Sequence, residues 1–165
     1  VKSGNLTAMI CRAPEFYGPG KTLSVVNAMV FDNIRKGKKA QWLITDRSKR
    51  TFIYTPDAGK ATALLANSPG TRNQTWHLPC DESFPTGKEF MQLINQVTGK
   101  EINYSVLSRF MVNMAGLFVP NIREIKELLY QFEQDYIFSS DKFKKAFPSF
   151  SITSYREGIA TILNQ

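Results

Sequence analysis

Apolar positions recur with two different spacings along the chain, and the two kinds of segment alternate. Strand-like segments are short apolar runs bounded by turn residues, at 7–11, 41–44, 51–55, 74–79, 102–107 and 136–138. Helix-like segments place apolar side chains three and four residues apart, as Val26, Met29 and Val30 do after the glycine-rich turn at 18–20. This alternation predicts a mixed α/β fold, and 165 residues fit one domain.

Several helices are marked by the residues that begin them. Thr86-x-x-Glu89 and Ser154-x-x-Glu157 match the capping box, in which a hydroxyl accepts from a free backbone N–H and a carboxylate reaches back. Asn121-x-x-Glu124 predicts a longer helix of the same kind, and a short apolar helix is expected at 108–119. Asp57 is favoured as the N-cap of a helix after the strand at 51–55.

The charge of the chain is uneven, and the excess is positive. The net charge is +7, and residues 35–50 hold seven basic side chains against one acid, Asp46. Such a cluster can meet nucleic acid, a phosphorylated small molecule or only water. Because aromatic and basic residues do not alternate in this stretch and no known motif accompanies the charge, a solvated face is favoured and a nucleic-acid partner is not expected.

Cysteine and histidine usage excludes an ordinary zinc site. Cys11 and Cys80 lie far apart, and His77 is the only histidine. We expect two reduced thiols in a cytoplasmic protein, and a packed histidine between Trp76 and Leu78. No membrane partner is expected either, because the apolar stretch at 111–120 is shorter than the ~20 residues that span a bilayer, and the first residues show no signal-peptide pattern.

Two glycine motifs near the start of the chain resemble phosphate-binding loops but lack a required residue. Gly20-Lys21-Thr22 would end a P-loop only with a glycine at position 15, which is Glu15. Gly18-x-Gly20 would begin a dinucleotide-binding turn only with a third glycine at position 23, which is Leu23. Neither motif therefore predicts a phosphate site.

The Tyr-x-x-x-Lys spacing of Tyr17 and Lys21 also fails as a catalytic motif. Acid–base chemistry by this pair needs both side chains on one helical face, where the lysine lowers the pKa of the tyrosine. The intervening Gly18-Pro19-Gly20 cannot lie inside a helix. We therefore predict that the chain alone carries no catalytic residue.

Six blocks, in order along the chain, resemble the extended short-chain dehydrogenase/reductase family of NAD-dependent epimerases and dehydratases. The first, RAPEFYGPG, resembles the family's R-x-x-N-x-Y-G-P-G segment, and the second, RTFIYTPDA, resembles R-D-F-V-Y-V-D-D-V-A. The blocks lie at residues 12–20, 50–58, 76–79, 86–90, 138–142 and 154–158.

This resemblance implies that residues 1–165 are the C-terminal part of a Rossmann-type enzyme: the last sheet strands plus a small mixed α/β substrate-binding lobe. The N-terminal dinucleotide-binding half would be absent. The parent would be an NAD- or NADP-dependent epimerase, dehydratase or reductase, whereas this chain alone would bind no cofactor. The missing half and a small-molecule substrate are the implied partners. A homo-oligomer is also expected, because a strand without its neighbours leaves an exposed edge.

The resemblance also implies site residues near the first block. Ala13 and Pro14 would lie near the nicotinamide. Glu15 and Phe16 would stand where family members often place an asparagine that holds the phosphate or sugar of the substrate. Because a carboxylate at this position disfavours phosphate, a polyol, steroid-like or other neutral substrate is an alternative to a sugar nucleotide.

The second block adds Arg50 and Tyr54 as implied substrate-binding residues. Arg50 matches an arginine that approaches the diphosphate in sugar-nucleotide members, and a surface salt bridge is the other interpretation. Tyr54 and Tyr130 would line the cleft or pack in the core. A different hypothesis is a standalone, non-catalytic module that binds a phosphorylated or nucleic-acid partner through residues 35–50.

Overall fold

The structure of the chain is a computed structural model that describes residues 6–20, 22–118 and 126–164. The strands are β1 (Ile10–Arg12), β2 (Glu15–Tyr17), β3 (Ala40–Leu43), β4 (Phe52–Tyr54), β5 (Thr75–His77) and β6 (Tyr104–Leu107). The α-helices are α1 (Asp32–Arg35), α2 (Thr55–Asn67), α3 (Gly87–Thr98), α4 (Arg109–Phe118), α5 (Asp141–Ala146) and α6 (Tyr155–Leu163). A π-helical turn, Asn27–Phe31, leads into α1, and a 3-10 helix covers Lys126–Phe132.

The strands form three separate parallel pairs: β1 with β5, β2 with β4, and β3 with β6. Parallel partners need long crossover connections, and the helices supply these connections. In the β2–β4 pair, Glu15 lies opposite Phe52 and Tyr17 lies opposite Tyr54. The mixed α/β fold predicted from the alternation of elements is confirmed.

Both predicted capping boxes form. The Thr86 hydroxyl oxygen accepts from the Glu89 N–H at 3.2 Å, and the Glu89 carboxylate accepts from the Thr86 N–H at 2.8 Å. The same exchange begins α6 at Ser154 and Glu157, with distances of 3.3 Å and 2.9 Å. Two helices thus begin at the residues that the sequence marks for them.

The largest core cluster is aromatic and lies between the β2–β4 pair and helices α3 and α6. The rings of Phe52 and Phe90 are 5.3 Å apart, and those of Phe90 and Tyr155 are 5.9 Å apart. Tyr17 packs edge-on or tilted against this group and is 1% exposed. This layer of aromatic side chains packs against β2 and therefore holds the strand that carries Glu15 in place.

Some elements differ from the sequence-based predictions. The strand expected at 7–11 is found at 10–12, with Ile10 56% exposed instead of buried. The described part of the helix expected from Asn121 is a 3-10 helix, and its predicted cap lies outside the described residues. Residues 136–138 form one bridge, from Tyr136 to Arg50, and no strand.

The helices in the described part of the chain include no segment with the length and apolar character that a membrane span requires.

Asp57 takes a different role from the predicted one. It lies in the first turn of α2, whose N-cap position is held by Tyr54 without a side-chain hydrogen bond. The Asp57 carboxylate instead accepts from the Thr153 N–H at 2.7 Å. It therefore ties the start of α2 to the segment that precedes α6.

Candidate functional site

Two clefts share the segment at 22–25, and the first of them also lies beside β2. The first has a volume of ≈ 620 Å³ and is lined by Glu15, Phe16, Thr22, Leu23, Ser24, Val25, Thr55, Gln131 and Phe132. The second has a volume of ≈ 680 Å³ and is lined by Thr22, Leu23, Ser24, Val25, Ala28, Met29, Gln41, Leu43, Leu107, Met111 and Val112. Because they share residues 22–25, we treat them as one candidate binding site. Each part lies within the range of about 300–1,000 Å³ that small-molecule pockets occupy.

The turn that leads into this site is held by a single amide side chain. Asn27 donates from Nδ2 to the Gly18 carbonyl at 2.7 Å, and the Gly18 N–H donates back to Asn27 Oδ1 at 3.3 Å. Asn27 is 2% exposed, so this exchange is shielded from water. A side chain at position 18 would overlap the Thr55 hydroxyl, which explains the need for glycine there.

Arg50, which is buried, and Glu15, which is half-buried and lines the first cleft, form an ion pair at the inner wall of the site. Arg50 Nη2 donates to Glu15 Oε1, and Nη1 donates to the Gln131 carbonyl. The guanidinium carbon also lies 4.4 Å from the centre of the Phe132 ring and 5.4 Å from that of Tyr136. Arg50 is 3% exposed, and its burial lowers its pKa to about 10, which leaves it charged at neutral pH.

Several segments of the chain fix the position of Arg50. Its backbone N–H donates to the Pro85 carbonyl at 2.9 Å. On the other side, the Tyr136 N–H donates to the Lys49 carbonyl at 2.9 Å. The preorganised guanidinium is therefore a structural part of the wall, held between β2, the 3-10 helix and the segment around Tyr136.

The predicted site residues separate into two groups. Glu15, Phe16 and Arg50 lie together, since Glu15 and Phe16 line the first cleft and Arg50 contacts Glu15. Tyr54 is 9% exposed and packs in the aromatic core, with its ring 5.5 Å from that of Tyr17. Tyr130 belongs to neither group: it is 56% exposed and is not among the residues that line the two clefts.

Ala13 and Pro14 lie in the connection between β1 and β2. Pro14 is buried, and Ala13 packs against the second hydrophobic cluster, which contains Trp76 and Leu65. The position near a nicotinamide that the resemblance implies for them stays a prediction.

Sequence reasoning missed the residues that complete the site. Gln131 and Phe132 both contact Arg50, although Gln131 lies 81 positions further along the chain. Thr22 and Leu23 were considered only as positions in two glycine motifs that lack a required residue, and Ser24 and Val25 were assigned no role. A contact between residues so far apart in the sequence, such as Arg50 and Gln131, leaves no periodic pattern that could predict it.

Other reactive side chains are held in structural roles. His77 Nδ1 lies 2.9 Å from the Ser139 carbonyl, and its ring stacks on Phe138 with centres 4.4 Å apart. Burial raises the pKa of Cys80 to about 12 and also raises that of Cys11, which is opposite to what an activated thiol requires. Within the described residues no group of three or more metal-binding side chains comes together.

The basic side chains of the stretch at 35–50 differ in their surroundings. Arg35 donates to the Ile162 carbonyl at 2.8 Å, and Arg50 is buried. The exposed cations flank β3: Lys36, Lys38 and Lys39 before it, Arg47 and Lys49 after it.

The sequence matches no protein-family profile and no curated protein. Solved structures do match. UDP-glucuronic acid 4-epimerase from Bacillus cereus, in complex with UDP-glucuronic acid and NAD, is 12% identical, with a TM-score of 0.68 over 94% of this chain and 44% of that chain. UDP-glucose 4-epimerase from Thermotoga maritima, with UDP-glucose, is 18% identical, with a TM-score of 0.69 over 99% and 47%.

A third similar structure is dTDP-glucose 4,6-dehydratase from Bacillus anthracis in complex with NAD, at 17% identity and a TM-score of 0.65 over 94% of this chain and 43% of that one. The fold is therefore that of the C-terminal portion of extended short-chain dehydrogenases/reductases, as the resemblance implied. The chain spans less than half the length of these enzymes.

Proposed function

We propose that the chain is the substrate-binding half of an NAD- or NADP-dependent epimerase, dehydratase or reductase, and that it is not catalytic alone. The observation that carries this proposal is the match of nearly the whole chain to less than half of three such enzymes. The cleft beside β2 would hold a substrate that carries a hydroxyl or carbonyl group. Glu15, Phe16 and Arg50 would form its inner wall, and Tyr54 would support it from the core.

The described residues do not fit a dinucleotide by themselves. A pyrophosphate site needs free backbone N–H groups on a glycine-rich turn at the start of a helix. Here the Gly18 N–H donates to Asn27, and Leu23 occupies the position of the third glycine. The cofactor would therefore be held by a second, N-terminal half, with Ala13 and Pro14 facing its nicotinamide.

The test is to sequence the reading frame upstream of Val1 and to purify the longer protein beside the 165-residue chain. We expect the upstream sequence to encode a glycine-rich strand–turn–helix and a Tyr-x-x-x-Lys helix. NADH fluorescence should then change on titration of the longer protein and stay constant with the shorter chain. An upstream frame without both motifs, or strong NADH binding by the shorter chain, would overturn the proposal.

A standalone module that binds phosphate groups or nucleic acid through residues 35–50 makes a different prediction. Its binding would fall steeply between 50 and 200 mM salt, because each neutralised phosphate releases counterions. A flat response over this range in a filter-binding assay removes that alternative.

We also propose that the isolated chain self-associates. β1 pairs with β5, and within the described part of the chain no strand pairs with its other edge. Ile10 on this strand is 56% exposed. Light scattering should show a dimer or a larger species, whereas a clean monomer would argue against this edge as a contact surface.

A further inference from the structure

The candidate site offers an unusual set of groups for a phosphorylated ligand. Glu15 is the only charged residue among the described residues that line the two clefts, and it is already paired with Arg50. The remaining polar groups are neutral hydroxyls and amides, from Thr22, Ser24, Thr55, Gln41 and Gln131. Such groups suit hydroxyl and carbonyl ligands, because each can form a hydrogen bond without a charge.

Arg50 is not free to hold an anion in this arrangement. Both of its terminal nitrogens donate within the protein, to Glu15 and to the Gln131 carbonyl, and its face lies on Phe132. A diphosphate that reached the guanidinium would have to displace the Glu15 carboxylate. The displaced carboxylate would then lie beside a second negative charge, which is unfavourable at short range in a partly buried site.

The rim of the site is apolar and open to solvent. Leu23 is fully exposed, Met111 is 50% exposed and Phe16 is 43% exposed, and each of them lines one or both clefts. Exposed apolar side chains gathered around a concave site are typical of surfaces that bind apolar groups.

We propose that this site binds a neutral, largely apolar alcohol or ketone, and that the Glu15–Arg50 pair excludes phosphorylated ligands. The inference rests on the proposed function, which makes this cleft the substrate site, and it narrows the substrate class. Two similar structures contain sugar nucleotides, but in this chain the guanidinium of Arg50 already binds the carboxylate of Glu15.

The test uses two probes on the purified chain. Nile red is an uncharged aromatic ketone whose fluorescence rises in apolar sites, and UDP carries the diphosphate. We expect saturable Nile red binding in the micromolar range and no saturable heat with millimolar UDP in calorimetry.

Two matched pairs of variants locate the binding. Leu23→Glu places a charge on the rim and should weaken Nile red binding by at least about tenfold. The control is Leu6→Glu, at a position 61% exposed outside the clefts, which should change Nile red binding less than twofold.

The second pair tests UDP binding. Glu15→Gln frees Arg50 and should make UDP binding measurable. Glu133→Gln removes the same charge from a pair with Arg109, at 3.1 Å on the surface, and should leave UDP unbound.

Thermal unfolding of each variant shows whether it is folded. If Glu15→Gln does not fold, the Leu23 and Leu6 pair and the comparison of probes on the unmodified chain still decide the matter. Saturation of the unmodified chain by UDP, or equal Nile red affinity for Leu23→Glu and Leu6→Glu, overturns the inference. Either result leaves the proposed function intact, because that proposal fails only on the NADH and reading-frame experiments.

Discussion

The hydroxyl of Tyr155 exchanges two hydrogen bonds with the backbone of Phe52. It accepts from the Phe52 N–H at 2.9 Å and donates to the Phe52 carbonyl at 3.3 Å. Phe52 begins β4 and lies opposite Glu15 of β2. The last helix of the chain is thereby attached to the strand pair that supports the candidate site.

Removing this hydroxyl should destabilise the protein. Tyr155 is 1% exposed, so Tyr155→Phe leaves two backbone groups of Phe52 without this partner in the core. We expect the free energy of unfolding to fall by about 1–3 kcal/mol. Urea unfolding measures it, with Tyr130→Phe at an exposed position as the control, expected to change stability by less than about 0.5 kcal/mol. Equal effects of the two variants would contradict this role.

Two helical glycines should respond in opposite directions to alanine. A Cβ at position 158 in α6 would overlap the buried Tyr17 hydroxyl, whereas one at position 59 in α2 would meet nothing within 4 Å. We expect Gly158→Ala to destabilise by about 1–3 kcal/mol through overpacking, and Gly59→Ala to stabilise by about 0.5–1 kcal/mol. Thermal unfolding of both variants distinguishes them, and a stabilising Gly158→Ala would show that Tyr17 can move aside.

Arg50 should be far more important for stability than a surface arginine. Arg50→Gln leaves Glu15 without its partner and removes the contact with Phe132. We expect a loss of about 3 kcal/mol, because Arg50 is buried and the Glu15 carboxylate that loses its partner is only partly exposed. Arg109→Gln, whose ion pair with Glu133 at 3.1 Å is exposed, should cost less than about 1 kcal/mol. Urea unfolding should show this difference, and similar losses would indicate that the Arg50 pair is solvated.

Alkaline pH should weaken the folded state in part through Cys80. Burial raises the pKa of Cys80 to about 12 from an ordinary value of 9.0, so the unfolded thiol loses its proton first as pH rises. Its contribution to stability is complete below pH 9 and is lost between pH 9 and about 12. In Cys80→Ala the decline of unfolding free energy with pH should be shallower over this window, by up to about 1.4 kcal/mol per pH unit.

Cys11→Ala is the comparison for that titration. Cys11 is only partly buried, so its removal should change the slope less than the removal of Cys80 does. Denaturation at a series of pH values, at constant ionic strength, gives both slopes. An unchanged slope in Cys80→Ala would show that its thiol titrates alike in the folded and unfolded chains.

Local signals in the sequence predicted the local elements well. Thr86 and Ser154 begin α3 and α6 as expected, because a capping box involves four consecutive residues and needs no tertiary partner. β2 was missed because Glu15–Tyr17 is three residues long and lies between a proline and a glycine-rich turn. Its partner β4 lies 37 positions away, as in the register of Glu15 with Phe52, and only tertiary pairing makes it a strand.

The candidate site was predicted in part. The family resemblance placed Glu15 and Arg50 in it separately, but no spacing rule connects two residues 35 positions apart. Their contact changes the interpretation of Arg50, because a guanidinium that is already paired is no longer an open anion site. Phe132 and Gln131 complete that pair and could be found only from the folded chain.

The two hydrogen bonds between Asn27 and Gly18 affect which residues of the neighbouring loop can change during evolution. The turn is closed by the Asn27 amide and two backbone atoms of Gly18, so it does not depend on the side chain of Leu23, which is fully exposed and lines both clefts. Evolution can therefore exchange this side chain, and with it the shape of the accepted ligand, while the loop keeps its course. Related proteins with the same two hydrogen bonds would be expected to differ most at this position.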